Sequence, residues 1–165
     1  MDIHTKFNRI IFFPVLVFIA MVLNACDNTT IYNESDILSE AKWNETDTLF
    51  AKFEVSDSTH YHNISLNTRI NSLYLNSNIY FKVILTGPIG QHITEIKSFE
   101  ITDKAGKWLG KGFGDLHSYE LPLLYELPLK QFGSYKVKVI PYMRKDVVHG
   151  IHDRGIKVSL GKEIF

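Results

Sequence analysis

Residues 49–55 read Leu-Phe-Ala-Lys-Phe-Glu-Val, and this alternating stretch is a clear signal of the fold class. Leu49, Ala51, Phe53 and Val55 alternate with three residues that include a lysine and a glutamate. Successive side chains of a β-strand point to opposite faces, so a period of two places one set in a core and the other in water. The stretch therefore predicts a half-buried strand.

The same alternation recurs along the rest of the chain. It is found in residues 61–70, 78–86, 93–101, 134–142 and 155–160. Turn residues separate these segments, and no long amphipathic helix interrupts them. The pattern predicts about seven or eight short strands in an all-β fold, a single antiparallel β-sandwich that is Ig-like or jelly-roll-like, with a closed barrel as the alternative.

Two segments depart from the alternation. Residues 106–115 are rich in glycine and aromatics, and we interpret them as a loop. Residues 119–129 contain Pro122 and Pro128. Proline cannot donate a ladder hydrogen bond, so this segment is expected to be an edge strand or irregular.

The N-terminus has the pattern of a secretory signal. Residues 1–9 carry Lys6 and Arg9, residues 10–23 are almost wholly apolar, and a small residue, Ala25, follows. The apolar run is shorter than the roughly 20 residues that a helix needs to cross a bilayer. We therefore expect residues 1–25 to be a signal helix that is removed, rather than an uncleaved anchor.

Cys26 is the only cysteine of the chain and directly follows Leu23-Asn24-Ala25. This arrangement is typical of a bacterial lipoprotein signal, in which the cysteine carries a diacylglycerol and often an N-acyl chain. Two or more acyl chains suffice for stable membrane attachment. The sequence thus predicts lipidation at Cys26, a polar tether over residues 26–46 and a β-sandwich domain over residues 47–165, with no other cofactor.

The composition argues against nucleic acid as a partner. The whole chain holds 18 basic and 18 acidic residues, and without Asp2, Lys6 and Arg9 of the leader the formal net charge is −1. A nucleic-acid binder usually carries a basic patch or a strong basic excess.

No motif for catalysis or metal binding is apparent. His60, His62, His149 and His152 could form a zinc site, but no Cys, Asp or Glu completes a ligand spacing. The chain lacks a Gly-x-Ser-x-Gly elbow and a phosphate-binding loop with a Gly-Lys-Ser/Thr ending. We expect no catalytic residue, no metal site and no enzymatic activity.

Several segments together resemble the gliding-motility lipoprotein GldH family of the Bacteroidota. The closest stretch is Gly-Lys-Trp-Leu-Gly-Lys-Gly-Phe-Gly-Asp at residues 106–115. The other segments that carry the resemblance are residues 99–103, Trp43 with Asp47, 50–55, 66–71, 74–86, 143–145 and 150–158. The resemblance covers nearly all of the chain after the leader and is weakest in the expected tether.

The resemblance implies a cell-envelope lipoprotein that serves the machinery moving surface adhesins, which is linked to type IX secretion. It implies other envelope proteins of gliding or secretion as partners, and no catalytic residue or cofactor. We expect lipid anchoring to the outer membrane in preference to the inner one. The alternative is a surface glycan-binding lipoprotein, since exposed aromatics on a sandwich can stack on sugar rings.

A candidate partner surface follows from the motif at residues 106–115. We predict that Trp108, Lys111, Phe113 and Asp115, together with Arg144, form part of it. The competing interpretation is that Trp108 and Phe113 are buried and that the glycines only permit a tight loop.

Overall fold

The computed structural model describes residues 29–164, which form eleven strands and one short 3-10 turn, Ser39–Ala41. The strands are β1 (Thr30–Ile37), β2 (Lys42–Asn44), β3 (Leu49–Val55), β4 (His60–Ile70), β5 (Asn78–Thr86), β6 (His92–Glu100), β7 (Lys111–Phe113), β8 (Leu116–Leu127), β9 (Gly133–Pro141), β10 (Val147–His149) and β11 (Ile151–Glu163).

Two antiparallel sheets enclose one core. The larger sheet has the order β1-β11-β4-β8-β7, and the smaller has the order β3-β9-β5-β6. β10 and β2 form a separate two-stranded ribbon. Each strand contributes alternate residues to the core, such as Leu66 and Ile156 from the larger sheet and Phe81 and Val137 from the smaller one. The predicted all-β, antiparallel sandwich is confirmed.

The predicted edge character of residues 119–129 is also confirmed. β8 pairs with β4 along most of its length, whereas β7 covers only Leu116 to Ser118 on its other side. Pro122 therefore lies where β8 has no second neighbour, so its missing N–H leaves no hydrogen bond unmade on that side. The predicted loop at residues 106–115 differs in one respect, since it contains the three-residue strand β7.

The expected tether over residues 26–46 requires correction for residues 30–46. β1 pairs with β11 from Thr30 to Ile37, and the Leu38 N–H donates to the His152 carbonyl at 2.9 Å. β1 is an edge strand with mostly exposed side chains, so main-chain hydrogen bonds hold it and no apolar alternation marks it. The folded domain thus includes residues 30–46, while Cys26 and the signal segment lie outside the described residues.

The topology gives the sandwich two distinct ends. The near end holds the start of β1, the end of β11 and the loops at residues 56–59, 87–91 and 128–132. The far end holds the segments at residues 38–48, 71–77, 101–115 and 142–150. Within residues 29–164, no helix is long and apolar enough to cross a membrane.

Candidate functional site

The β7–β8 hairpin places two of the predicted residues in solvent. Lys111 and Phe113 are both exposed, and the Phe113 side chain is 99% accessible. Gly112 lies so close to β8 that an added Cβ would sit 2.1 Å from the Leu116 carbonyl oxygen. A glycine is therefore required there, and Phe113 projects from a hairpin that cannot cover it.

Trp108 is half-buried beside this hairpin. Its ring stacks on His117 with centroids 4.8 Å apart and an interplanar angle of 11°. Nearby, a Cβ added at Gly110 would lie 2.5 Å from Cζ of Tyr119, whose hydroxyl donates to the Ile101 carbonyl at 2.8 Å. The interpretation that both aromatics are buried is wrong for Phe113, whereas these glycines do permit close packing.

Asp115 joins the hairpin to the loop at residues 71–77. Its Oδ1 accepts a hydrogen bond from the Ser72 N–H at 2.9 Å. Hydrogen bonding from Ser72 lowers the pKa of the Asp115 carboxyl, and the nearby His117 adds to this effect. The hydrogen bond to Ser72 holds the loop against the hairpin. Because the carboxylate is also exposed, it presents a negative charge to solvent.

Arg144 lies on a broad groove that the sequence did not predict. The groove has a volume of about 960 Å³ and opens between the loop at residues 71–77 and the connection from β9 to β10. Its apolar lining includes Leu73, Leu75, Tyr80, Ile96 and Tyr142. All five are exposed, and Leu75 is 85% accessible.

The groove is built by contacts between strand ends. The Tyr142 N–H donates to the Tyr80 carbonyl at 2.8 Å, and the Tyr80 N–H points to the Met143 sulfur at 3.4 Å. Tyr80 and Ile96 occupy the outward positions of β5 and β6. An apolar residue at a solvent-facing position of an alternating strand is the one signal that could have indicated this surface.

The charges around the groove have one sign. Arg144, Lys145 and His149 line it, whereas no aspartate or glutamate of the described residues does. Neither Arg144 nor Lys145 forms an ion pair within residues 29–164. An apolar floor with a basic rim favours binding of an apolar segment that carries acidic groups.

A second hollow, of about 490 Å³, lies on the other side of the same loop. Trp108, Asp103 and Lys104 line it, together with Leu75 and Asn76, which also line the groove. Trp108 and Arg144 thus border two neighbouring depressions at the far end rather than one pocket. Lys111 and Phe113 lie on the adjacent hairpin and line neither depression.

The four histidines considered for zinc do not come together. His60 and His62 are at the near-end start of β4, whereas His149 and His152 belong to the far-end segments of β10 and β11. Across the described chain, no group of three or more His, Cys, Asp or Glu side chains is placed to hold a metal ion.

Other residues of the C-terminal segment have structural contacts. Arg154 forms ion pairs with Asp36 at 3.2 Å and Asp47 at 2.8 Å, so it connects β1 and the segment before β3 to β11. Asp153 is buried, forms an ion pair with Arg69 and accepts a hydrogen bond from the Arg69 N–H at 2.9 Å. These side chains stabilise the larger sheet and do not line the groove.

Comparison with solved structures gives only weak similarity. The VP2 subviral particle of infectious bursal disease virus shares 12% identity, with a TM-score of 0.38. The match covers 81% of this chain and 33% of the viral one, so the chain spans about a third of that protein's length. A second structure, of the Gt strain of the same virus, matches with 12% identity and a TM-score of 0.32, covering 81% of this chain and 32% of the other. Similarity at this level carries no functional conclusion.

Sequence comparison is more informative. A gliding motility lipoprotein GldH homolog from Christiangramia forsetii is 28% identical over 152 residues, which cover 88% of this chain and 93% of that protein. The family model described as GldH lipoprotein matches residues 30–158, from the first strand to the last. The chain therefore belongs to the GldH lipoprotein family.

Proposed function

We propose that this protein is a lipid-anchored lipoprotein of the cell envelope and a non-enzymatic component of the gliding machinery linked to type IX secretion. Family membership supports the assignment to gliding. The single structural observation that carries the proposal is the far end, where an exposed apolar groove adjoins Trp108 and Arg144.

The anchor of the proposed protein is Cys26. A diacylglycerol thioether, with an N-acyl chain after removal of residues 1–25, attaches it to a membrane, and we assign that membrane as the outer one. Mass spectrometry of the mature N-terminus tests this: acyl groups on Cys26 are expected, and an intact leader with a free thiol contradicts it.

The partner surface of the proposed protein is its far end. Monomeric proteins rarely expose large contiguous apolar patches, and such patches commonly mark interaction sites. Here the side chains of Leu73, Leu75, Ile96 and Tyr142 are more than half exposed around one groove. Its basic rim favours an envelope protein that presents an apolar and acidic segment, and no nucleic acid is expected to bind.

Alanine substitutions test this surface in cells that depend on the protein. Trp108→Ala and Arg144→Ala are expected to reduce colony spreading and adhesin secretion while the protein remains folded and lipidated. Lys52→Ala, at an exposed position in the middle of β3, is the matched control and should leave both unchanged. Full spreading and secretion by the folded far-end variants would contradict the proposal.

A second candidate function is glycan binding, which the groove itself favours. Tyr80 and Tyr142 line it next to the amide side chains of Asn76 and Asn78. Aromatic rings with neighbouring amides provide stacking and hydrogen bonds for a sugar. Affinity electrophoresis on a broad panel of polysaccharides should show retardation that Tyr142→Ala removes, and the absence of retardation on the whole panel rejects this function.

A further inference from the structure

The described fold begins very close to the proposed lipid. Cys26 and Thr29 are three peptide steps apart, and three fully extended steps span at most about 11 Å. Thr29 is already fixed, because its carbonyl accepts a hydrogen bond from the Leu160 N–H at 2.8 Å. If Cys26 is lipidated, as the proposed function requires, this edge of the near end cannot lie farther than that from the membrane surface.

The loops of the near end carry apolar tips. Ile89 in the β5–β6 loop is 74% exposed, and Phe132 in the β8–β9 loop is 64% exposed. The two loops are neighbours, because a Cβ added at Gly133 would lie 3.3 Å from Cβ of Pro88. Two large apolar side chains thus project from adjacent loops on the end of the sandwich where the lipid is attached.

The charges of the near end are compatible with a lipid headgroup layer. Asp57 accepts hydrogen bonds from Thr59 and contacts His60, Glu163 lies 3.8 Å from the other side of the His60 ring, and Glu126 pairs with Lys162 at 3.3 Å. Lys130, two residues before Phe132, is exposed and has no ion-pair partner within residues 29–164. Aromatic and aliphatic residues with a free lysine are typical of segments that lie in the membrane interface.

We propose that the near end rests on the bilayer, with Ile89 and Phe132 inserted into its interfacial layer. The lipid and the two loops then form several points of contact, so the domain is oriented rather than freely rotating about its anchor. β11 has thirteen residues, and at about 3.3 Å per residue its length holds the far end roughly 30–40 Å from the membrane.

Site-specific fluorescence on the full lipidated chain tests this orientation. Cys26 is the only cysteine and is blocked by its lipid, so a cysteine introduced by Ile89→Cys, Phe132→Cys or Leu75→Cys is the only free thiol. Each is labelled with NBD and reconstituted in vesicles of phosphatidylethanolamine and phosphatidylglycerol. Nitroxide-labelled lipids should quench the labels at residues 89 and 132, with a blue-shifted emission, and leave the label at residue 75 unquenched.

The outcomes separate the inference from the proposed function. If the protein is acylated but the labels at residues 89 and 132 are quenched no more than the label at residue 75, the proposed orientation is wrong. This holds even if another protein covers those loops in cells. Mass spectrometry of the same samples reports the lipid on Cys26. Unacylated mature protein overturns both the anchor and the orientation that depends on it.

Discussion

Arg154 is a basic residue that the fold places almost entirely in its interior. Its side chain is 6% exposed, pairs with Asp36 and Asp47, and stacks on the Trp43 ring at 4.7 Å from the centroid. The Trp43 Nε1–H in turn donates to the Asp47 carbonyl at 2.7 Å. One guanidinium therefore connects β11, β1 and the segment before β3.

Replacing Arg154 by methionine tests this connection. Arg154→Met keeps much of the side-chain volume but removes the charged hydrogen bonds. We expect the free energy of unfolding to fall by about 2 kcal/mol, because hydrogen bonds to charged groups are worth roughly 1.5–3 kcal/mol and both carboxylates are partly solvated. Urea unfolding measures it. Lys157→Met, on the same strand, is the control, and an equal loss in both variants would contradict this role.

His62 is a second buried residue, and its protonation affects the stability of the fold. Its side chain is inaccessible, and neither ring nitrogen has a well-formed hydrogen bond within the described part of the chain. Burial lowers the pKa of His62 from its ordinary value of 6.5, although the nearby Asp57 partly opposes this. The folded protein thus holds the imidazole neutral at a pH where the unfolded chain binds a proton.

A pH-dependent loss of stability follows. Below pH 6.5 the unfolded chain binds a proton at residue 62 that the folded chain excludes, so the free energy of unfolding decreases as the pH falls. His62→Leu should flatten this dependence between pH 7.5 and pH 5, as measured by urea titrations at several pH values. Parallel pH profiles for the two proteins would show that His62 does not contribute.

At the scale of the element, β1 depends on a close approach to β11. A Cβ added at Gly155 would lie 2.6 Å from the Glu34 carbonyl oxygen and 3.0 Å from Cα of Ser35. Both contacts involve the backbone of β1, which cannot move without weakening the ladder. At Gly161, farther along the same strand, the nearest atom is Nδ2 of Asn63, at the end of a side chain, at 3.0 Å.

The two glycines provide a matched pair of substitutions. Gly155→Ala should destabilise the domain by about 1–3 kcal/mol, the usual cost of forcing extra atoms into a packed site. It should also accelerate hydrogen exchange at the amides of β1. Gly161→Ala should cost less, since its nearest contact is the end of the Asn63 side chain at 3.0 Å and no backbone atom lies closer than 3.4 Å. If the two variants are equally stable, β1 is not held in the way described.

The elements also show what could be predicted from the sequence. β3, β5 and β9 were predicted because one face of each is buried, which forces apolar and polar residues to alternate. β1 was not, because its place is set by main-chain hydrogen bonds to β11 and its side chains are mostly exposed.

The candidate site was predictable only in part. The motif at residues 106–115 indicated Trp108, Lys111, Phe113 and Asp115, which the fold collects at one end. The groove beside Arg144 was missed, because Leu73, Leu75, Tyr80, Ile96 and Tyr142 come from four separate segments. Their proximity depends on how the strand ends meet, which no local pattern contains.

The two ends of the β-sandwich differ in what they carry. The strands run between a near end, where β1 begins, and a far end, where the groove, Trp108 and the Phe113 hairpin lie. A protein attached at Cys26 would present the far end away from its own membrane. In the proposed function, attachment and recognition thus lie at opposite ends of the domain.

Site-specific photo-crosslinking in intact cells tests whether the two ends differ in this way. Benzoylphenylalanine replaces one exposed aromatic residue at a time in the full lipidated chain, at Phe113 or Tyr142 of the far end and at Tyr125 or Phe132 toward the near end. Protein adducts are expected from residues 113 and 142 and none from residues 125 and 132. Adducts confined to residues 125 and 132, equal adducts from all four, or none from residues 113 and 142 would contradict this expectation.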